Sequence, residues 1–149
     1  MKPPRFYPPL WFLLFALCAL GLAQLSYFRV EVGPPATVVA MIMAALGGLL
    51  ALRARLMFLQ ARTSVHPFQD SSLLLTHGVY RISRNPMYLG MLLVLWAWVI
   101  WLQNLSGILL PPLFVLLLNR CHIEPEERRL NAQYGDCYRN YLKCTRRWI

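Results

Sequence analysis

Acidic side chains are scarce in this chain: six Asp and Glu stand against fifteen Lys and Arg, for a formal net charge of +9. Charged residues of both signs make up 14% of the sequence, whereas a soluble domain carries about a quarter. The basic excess does not point to nucleic acid. No nucleic-acid motif accompanies it, and the basic residues sit beside apolar runs, which is how membrane topology is encoded. Metal-ligand spacings are also missing. Cys18, Cys121, Cys137 and Cys144 form no C-x-x-C pair and read as small hydrophobes and free thiols. His66, His77 and His122 have no H-x-x-x-H or His-plus-acid spacing, so no metal is predicted. No G-x-G-x-x-G follows a strand and β-rich runs are few, which excludes a soluble-type nucleotide-binding sheet. The final Arg147-Trp148-Ile149 is not a prenylation signal. Gln24-Leu25-Ser26 is not a small-residue cleavage site, so Lys2, Arg5 and the apolar run after them read as a retained membrane helix.

What the chain has in abundance is apolar sequence, with 58% hydrophobic residues in a one-domain length of 149. A first span is predicted from Pro9 to Phe28, about 20 residues or about 30 Å of helix, enough to cross hydrocarbon. Gly33-Pro34-Pro35 turns the chain into a second span, Ala36 to Phe58, in which Gly47 and Gly48 suit close helix approach. Residues 60–84 form a long polar connection, a length that is usually functional or disordered. Val65, Phe68, Leu73, Leu74 and Leu75 within it argue against disorder. A third span starts at Asn85-Pro86, a good N-cap followed by a residue suited to the first helical position, and runs to Trp101 or Leu102. Asn104 to Gly107 reads as a tight turn. The fourth apolar segment, Ile108 to Leu118, is short and contains Pro111-Pro112. It fits either a kinked span or one arm of a helical hairpin.

From Pro125 to Tyr141 a helix is predicted. Leu130, Tyr134, Cys137, Tyr138, Tyr141 and Leu142 share one stripe, as expected of a helix lying on a membrane surface. The fold class that follows is all-α: an integral membrane bundle of about four transmembrane helices plus an interfacial C-terminal helix. Residues 1–149 form one domain, with two spans in 1–59 and the functional half in 60–149. All the basic residues except Arg29 then fall on one face, which places both termini and the polar connection on the cytoplasmic side.

Three clusters on that face carry chemistry. Around Gly78 to Gly90, a helix start with unpaired N–H groups favours an anion, Arg84 adds a fixed positive charge, and Tyr80 and Tyr88 offer ring faces to a cation. The alternative is an ordinary helix start with snorkelling arginines and interfacial tyrosines. Glu126 and Glu127 border the apolar face, where an acid is costly without a partner. A ligand diol or ammonium suits them, and so does a salt bridge to Arg84 or Arg120. Arg120 and His122 stand where the fourth segment reaches the interface. Arg120 fits an anionic substrate group or a lipid phosphate, and His122 fits proton transfer or simple hydration.

These residues resemble the isoprenylcysteine carboxyl methyltransferase and phospholipid methyltransferase superfamily. Gly78, Tyr80, Arg84, Asn85, Pro86, Tyr88 and Gly90 look like its G-x-Y-x-x-x-R-[H/N]-P-x-Y-x-G motif. Glu126, Glu127, Leu130, Tyr134, Gly135, Tyr138 and Tyr141, closing on Arg147-Trp148, look like its E-E-x-x-L motif and the tyrosines that follow. The likeness covers roughly Thr63 to Ile149. The chain departs from the eukaryotic carboxyl methyltransferases at Asn85, where they have His, and near His122, where they have Arg. The resemblance implies a membrane enzyme using S-adenosyl-L-methionine, with Leu74, Leu75, Tyr80, Arg84, Asn85, Pro86, Tyr88 and Glu126 around the cofactor. It puts Arg120, His122 and Glu127 nearer the acceptor. The acceptor would be a lipophilic or lipid-linked molecule reached from the surrounding membrane lipids. O-methylation of a carboxylate heads the expectation, with a phospholipid amine as second. A non-catalytic membrane binding module that keeps the fold is the third reading.

Overall fold

The computed structural model describes residues 7–25, 30, 33–62, 74–103 and 105–149. Expectations placed on Lys2, Arg5, Phe28, Arg29, Val65, His66, Phe68, Leu73 and Asn104 lie outside the described residues. All regular elements among the described residues are helical: α1 (Pro8–Leu25), α2 (Pro34–Arg62), α3 (Pro86–Trp101), α4 (Leu110–Leu118), α5 (Glu124–Tyr134) and α6 (Asp136–Cys144). Short 3-10 turns cover Gly78–Arg81 and Leu105–Leu109, and a π turn covers Asn119–Ile123. Three stretches are long and apolar enough to cross a membrane: Pro8–Leu25, Pro34–Gln60 and the continuous helix Leu105–Tyr134. The third apolar helix, Pro86–Trp101, is shorter. Leu13, Leu17, Ile42, Leu46 and Leu49 are exposed on α1 and α2, which suits helices whose solvent is lipid.

The fourth apolar segment packs back against α3 and belongs to a stretch long and apolar enough to cross a membrane. It opens a helical rod through α4, the π turn and α5. Pro111 and Pro112 sit in the first turn of α4, where a missing N–H leaves no intrahelical bond unmade. Pro125 has no such refuge and removes a bond inside the rod. The wide turn just before it, in which Glu124 N–H reaches Asn119 O, accommodates the proline without a break. The C-terminal helix predicted as one piece is two. Gly135, at φ 51°, takes a left-handed conformation open to glycine, ends α5 and redirects α6.

α2 and α3 pack closely because glycines face each other. A Cβ on Gly90 would stand 2.4 Å from Gly47 O and 2.8 Å from Ala51 N, and one on Gly47 would stand 2.6 Å from Gly90 O. Gly48, expected to share this role, has nothing within 4 Å. α1 lies against α3 and α4. Trp98 Nε1 donates to Ala16 O at 3.1 Å, and the Phe15 and Phe114 rings meet at 5.3 Å. The core runs through Tyr88, Leu95, Phe114, Leu118 and Ile123. These contacts fix α3 along the second half of α2, and its start beside the π turn that leads into α5.

Candidate active site

At that end of the bundle the chain folds back on itself. Arg84 N–H donates to Arg146 O at 3.0 Å. Ser83 Oγ and Asn85 Nδ2 donate to Arg147 O at 3.2 and 3.1 Å. Asn85 occupies the N-cap position of α3 but makes no side-chain cap; its amide is spent on the C-terminal tail instead. Ser83 is fully buried and also accepts from Asn85 N–H at 3.1 Å. Trp148 Nε1 donates to Asn119 Oδ1 at 3.2 Å. The last five residues are thus a strap from α6 across the start of α3 to the π turn.

Arg84 and Asn85, which the strap holds, open onto a cavity of about 190 Å³. Leu74, Leu75, Tyr80, Arg84, Asn85, Glu126 and Glu127 line it, so seven residues named from the sequence, drawn from two distant segments, meet around one space. Phe58, Ile123, Leu130, Gln133, Tyr134, Tyr138 and Tyr141 complete the lining. Reading the sequence placed Leu130, Tyr134, Tyr138 and Tyr141 on a membrane-facing stripe. The turn at Gly135 aims them at the cavity, while Cys137 is exposed. Phe58 and Gln133 gave no signal.

Four sequence-named residues lie outside this lining. Pro86 is buried at the first turn of α3. Tyr88 is in the core, its ring 6.4 Å from that of His122. His122 is 6% exposed, and its Nε2 is buried without a hydrogen-bond partner among the described residues. Arg120 points outward with its side chain 82% exposed, 3.9 Å from Glu124.

The charges are unevenly engaged. Glu127 is held by two arginines: Arg84 Nη1 stands 3.3 Å from Oε1, while Arg147 donates from Nε to Oε1 at 3.2 Å and from Nη2 to Oε2. The hydrogen bond to Glu127 also holds Arg147 more firmly protonated than usual. Glu126 is exposed at the cavity and makes no ion pair among the described residues. The phenols are neutral walls. Burial, and after it the charge of Glu126, raises the Tyr80 pKa above its ordinary value. Burial pushes Tyr141 up to about 12, so its hydroxyl remains the donor in a 2.6 Å bond to Tyr80 O. Tyr141→Phe is expected to cost about 1 kcal/mol by removing that bond. A thermal unfolding midpoint lowered by a few degrees in detergent checks it.

Such a lining suits a ligand that carries both signs of charge together with flat apolar parts. It offers an open carboxylate, neutral aromatic faces, aliphatic walls and, beside them, a helix start with an arginine.

Comparison with known proteins bears on what that ligand is for. An uncharacterized protein of Haemophilus influenzae is 43% identical over 63 residues, which is 42% of this chain and the whole of that protein. No solved structure matches. Residues 35–137 match the phospholipid methyltransferase family, so the likeness begins within α2, well before Thr63, and takes in the helix that carries Gly47. With more than half of its length matched, including most of the cavity lining, the chain belongs to the phospholipid methyltransferase family, within the isoprenylcysteine and phospholipid methyltransferase superfamily.

Proposed function

We propose that this protein is an S-adenosyl-L-methionine-dependent enzyme that methylates a lipophilic acceptor at the membrane. The observation that carries the reading is the convergence of the α3 start with Glu126 and the tyrosines around one cavity. The donor set fits the cofactor. Glu126 suits the ribose diol or the ammonium group, Tyr80 and its neighbours suit the sulfonium, and Leu74, Leu75 and Leu130 suit the adenine. The first N–H groups of α3 and Arg84 suit the carboxylate. When bound, this cofactor supplies an electrophilic methyl group. The chain's own work is to bind, orient and keep water out, which for a methyl transfer supplies much of the acceleration.

A carboxylate acceptor is the one served with least machinery, because it is ionised near neutral pH and needs no base. A second reading, a phospholipid amine, has one observation in its favour. The buried Nε2 of His122, beside Tyr88 and without a partner among the described residues, is a base of the kind that must take a proton from an ammonium group before it is methylated. In either case His122 would serve the acceptor rather than the donor, since it does not line the donor cavity. Arg120 would serve an anionic headgroup at the surface, and Glu127 serves through Arg84. The one-sided basic charge supports a topology with both termini and the donor site on the cytoplasmic side and the acceptor arriving from lipid.

The experiment is acceptor profiling with purified protein and methyl-labelled S-adenosylmethionine. Label in base-labile ester supports the carboxylate, and label in lipid headgroup supports the amine. Protein that fails to bind the cofactor at millimolar concentration is a membrane binding module instead.

A further inference from the structure

One carboxylate, Glu127, is shared by two guanidinium groups, and the two are not used alike. Arg147 grips it at two points, through Nε and Nη2. Arg84 touches it through Nη1 at 3.3 Å, and its Nε is buried without a partner among the described residues. Arg84 lines the cavity; Arg147 is not part of the lining and stands behind Glu127. A lone Arg84–Glu127 pair would be neutral, and the carboxylate would satisfy Arg84. With Arg147 added, the trio carries one surplus positive charge. Arg147's two-point contact is the stronger form of guanidinium–carboxylate pairing, so the surplus rests on Arg84. A cation with its side chain only 14% exposed is costly to leave uncompensated. The other acid of the cavity, Glu126, does not compensate it by an ion pair. Arg147 is also fixed in register with Arg84, because the strap bonds to the backbone of Arg84 and to the side chains of Ser83 and Asn85.

We propose that Arg147 is a positioning residue which takes up most of the charge of Glu127, so that Arg84, in one-point contact with the same carboxylate, keeps charge to bind a carboxylate or phosphate oxyanion in the cavity, making the C-terminal strap part of the binding site. The inference rests on the methyl-donor reading where the anion is the donor's amino-acid carboxylate. The acceptor's carboxylate or phosphate is the other source of the same chemistry.

The test uses full-length protein in detergent, with calorimetry of S-adenosylhomocysteine and of its decarboxylated analogue, and acceptor kinetics alongside. Arg147→Ala is expected to weaken S-adenosylhomocysteine at least tenfold and the decarboxylated analogue less than twofold, which assigns the anion to the donor. If donor affinity holds while acceptor KM rises at least tenfold at a kcat within twofold, the anion belongs to the acceptor and the proposal stands. The double variant Glu127→Gln with Arg147→Gln restores the charge on Arg84 and is expected to recover most of the lost binding, which a merely structural role of Arg147 would not do. Arg147→Lys, which keeps the charge but not the two-point grip, should fall between wild type and Arg147→Ala. It also serves if Arg147→Ala does not fold. The proposal is overturned if donor affinity and acceptor KM both stay within twofold, if the two donor analogues weaken equally, or if the double variant is no better than Arg147→Ala. Wild-type protein that binds neither analogue removes the donor-site reading itself, and this inference with it.

Discussion

Replacing Glu126 by alanine is expected to weaken binding of S-adenosylmethionine by about 10- to 150-fold, the range that corresponds to losing one hydrogen bond to a charged group. The size of the effect follows from how free this carboxylate is. Glu127, one residue along, is held by Arg84 and Arg147, whereas Glu126 is open to the cavity and has no ion pair among the described residues. Its removal orphans no ion-pair partner among the described residues, so the unfolding midpoint should move by no more than about 2 °C, as for a substitution outside any supporting network. Calorimetric titration in detergent, with a thermal melt of the same sample, checks both halves. Affinity unchanged from wild type would refute Glu126 as a ligand-binding group, and a collapsed midpoint would recast it as structural.

The second large effect is on the bundle itself. Gly90→Leu should destabilise the protein by about 1–3 kcal/mol or more, the usual range for overpacking a filled site. Here the obstacles are the backbone of Gly47 and of Ala51, which cannot rotate aside, so α2 and α3 must separate. That separation also tilts the start of α3, and with it Arg84 and Asn85. Donor affinity should therefore fall along with stability. Gly48→Ala is the internal control. With open space around Gly48, the change gains helix propensity of about 0.5–1 kcal/mol. Thermal unfolding of the two variants side by side should give shifts of opposite sign; equal shifts would mean that the glycine contact is not what holds α2 to α3.

Where a residue acts through its immediate neighbours, the sequence was readable. Pro86 at a first helical turn, an apolar run long enough to cross hydrocarbon, and a glycine in such a run each have a local physical meaning, and the helices appear accordingly. The lining from Leu74 to Asn85 and the pair Glu126 and Glu127 were legible through motif likeness. What stayed hidden depends on partners far along the chain. Asn85 was read as a cap because its backbone position demands one, yet its amide bonds to Arg147 O, 62 residues away. Ser83, which no sequence signal singles out, is a buried junction. The tyrosine stripe of the last helices was visible, but its direction was set by a single left-handed residue, Gly135, which a helical-wheel reading treats as continuous. Pro111 and Pro112 leave a kinked span and a hairpin arm equally open, because periodicity does not reveal which turn of a helix a proline occupies; they stand in the first turn of α4.

The central claim is that one cavity, walled by the start of α3 and by α5 and α6, holds the methyl donor. Its most direct test is ultraviolet crosslinking of labelled S-adenosylmethionine to the purified protein, with peptide mapping of the adducts. Label is expected on peptides spanning Leu74–Tyr88 and Glu126–Tyr141, displaced by excess S-adenosylhomocysteine. Label confined to α1 and the first half of α2, or label that the competitor does not displace, would contradict the account.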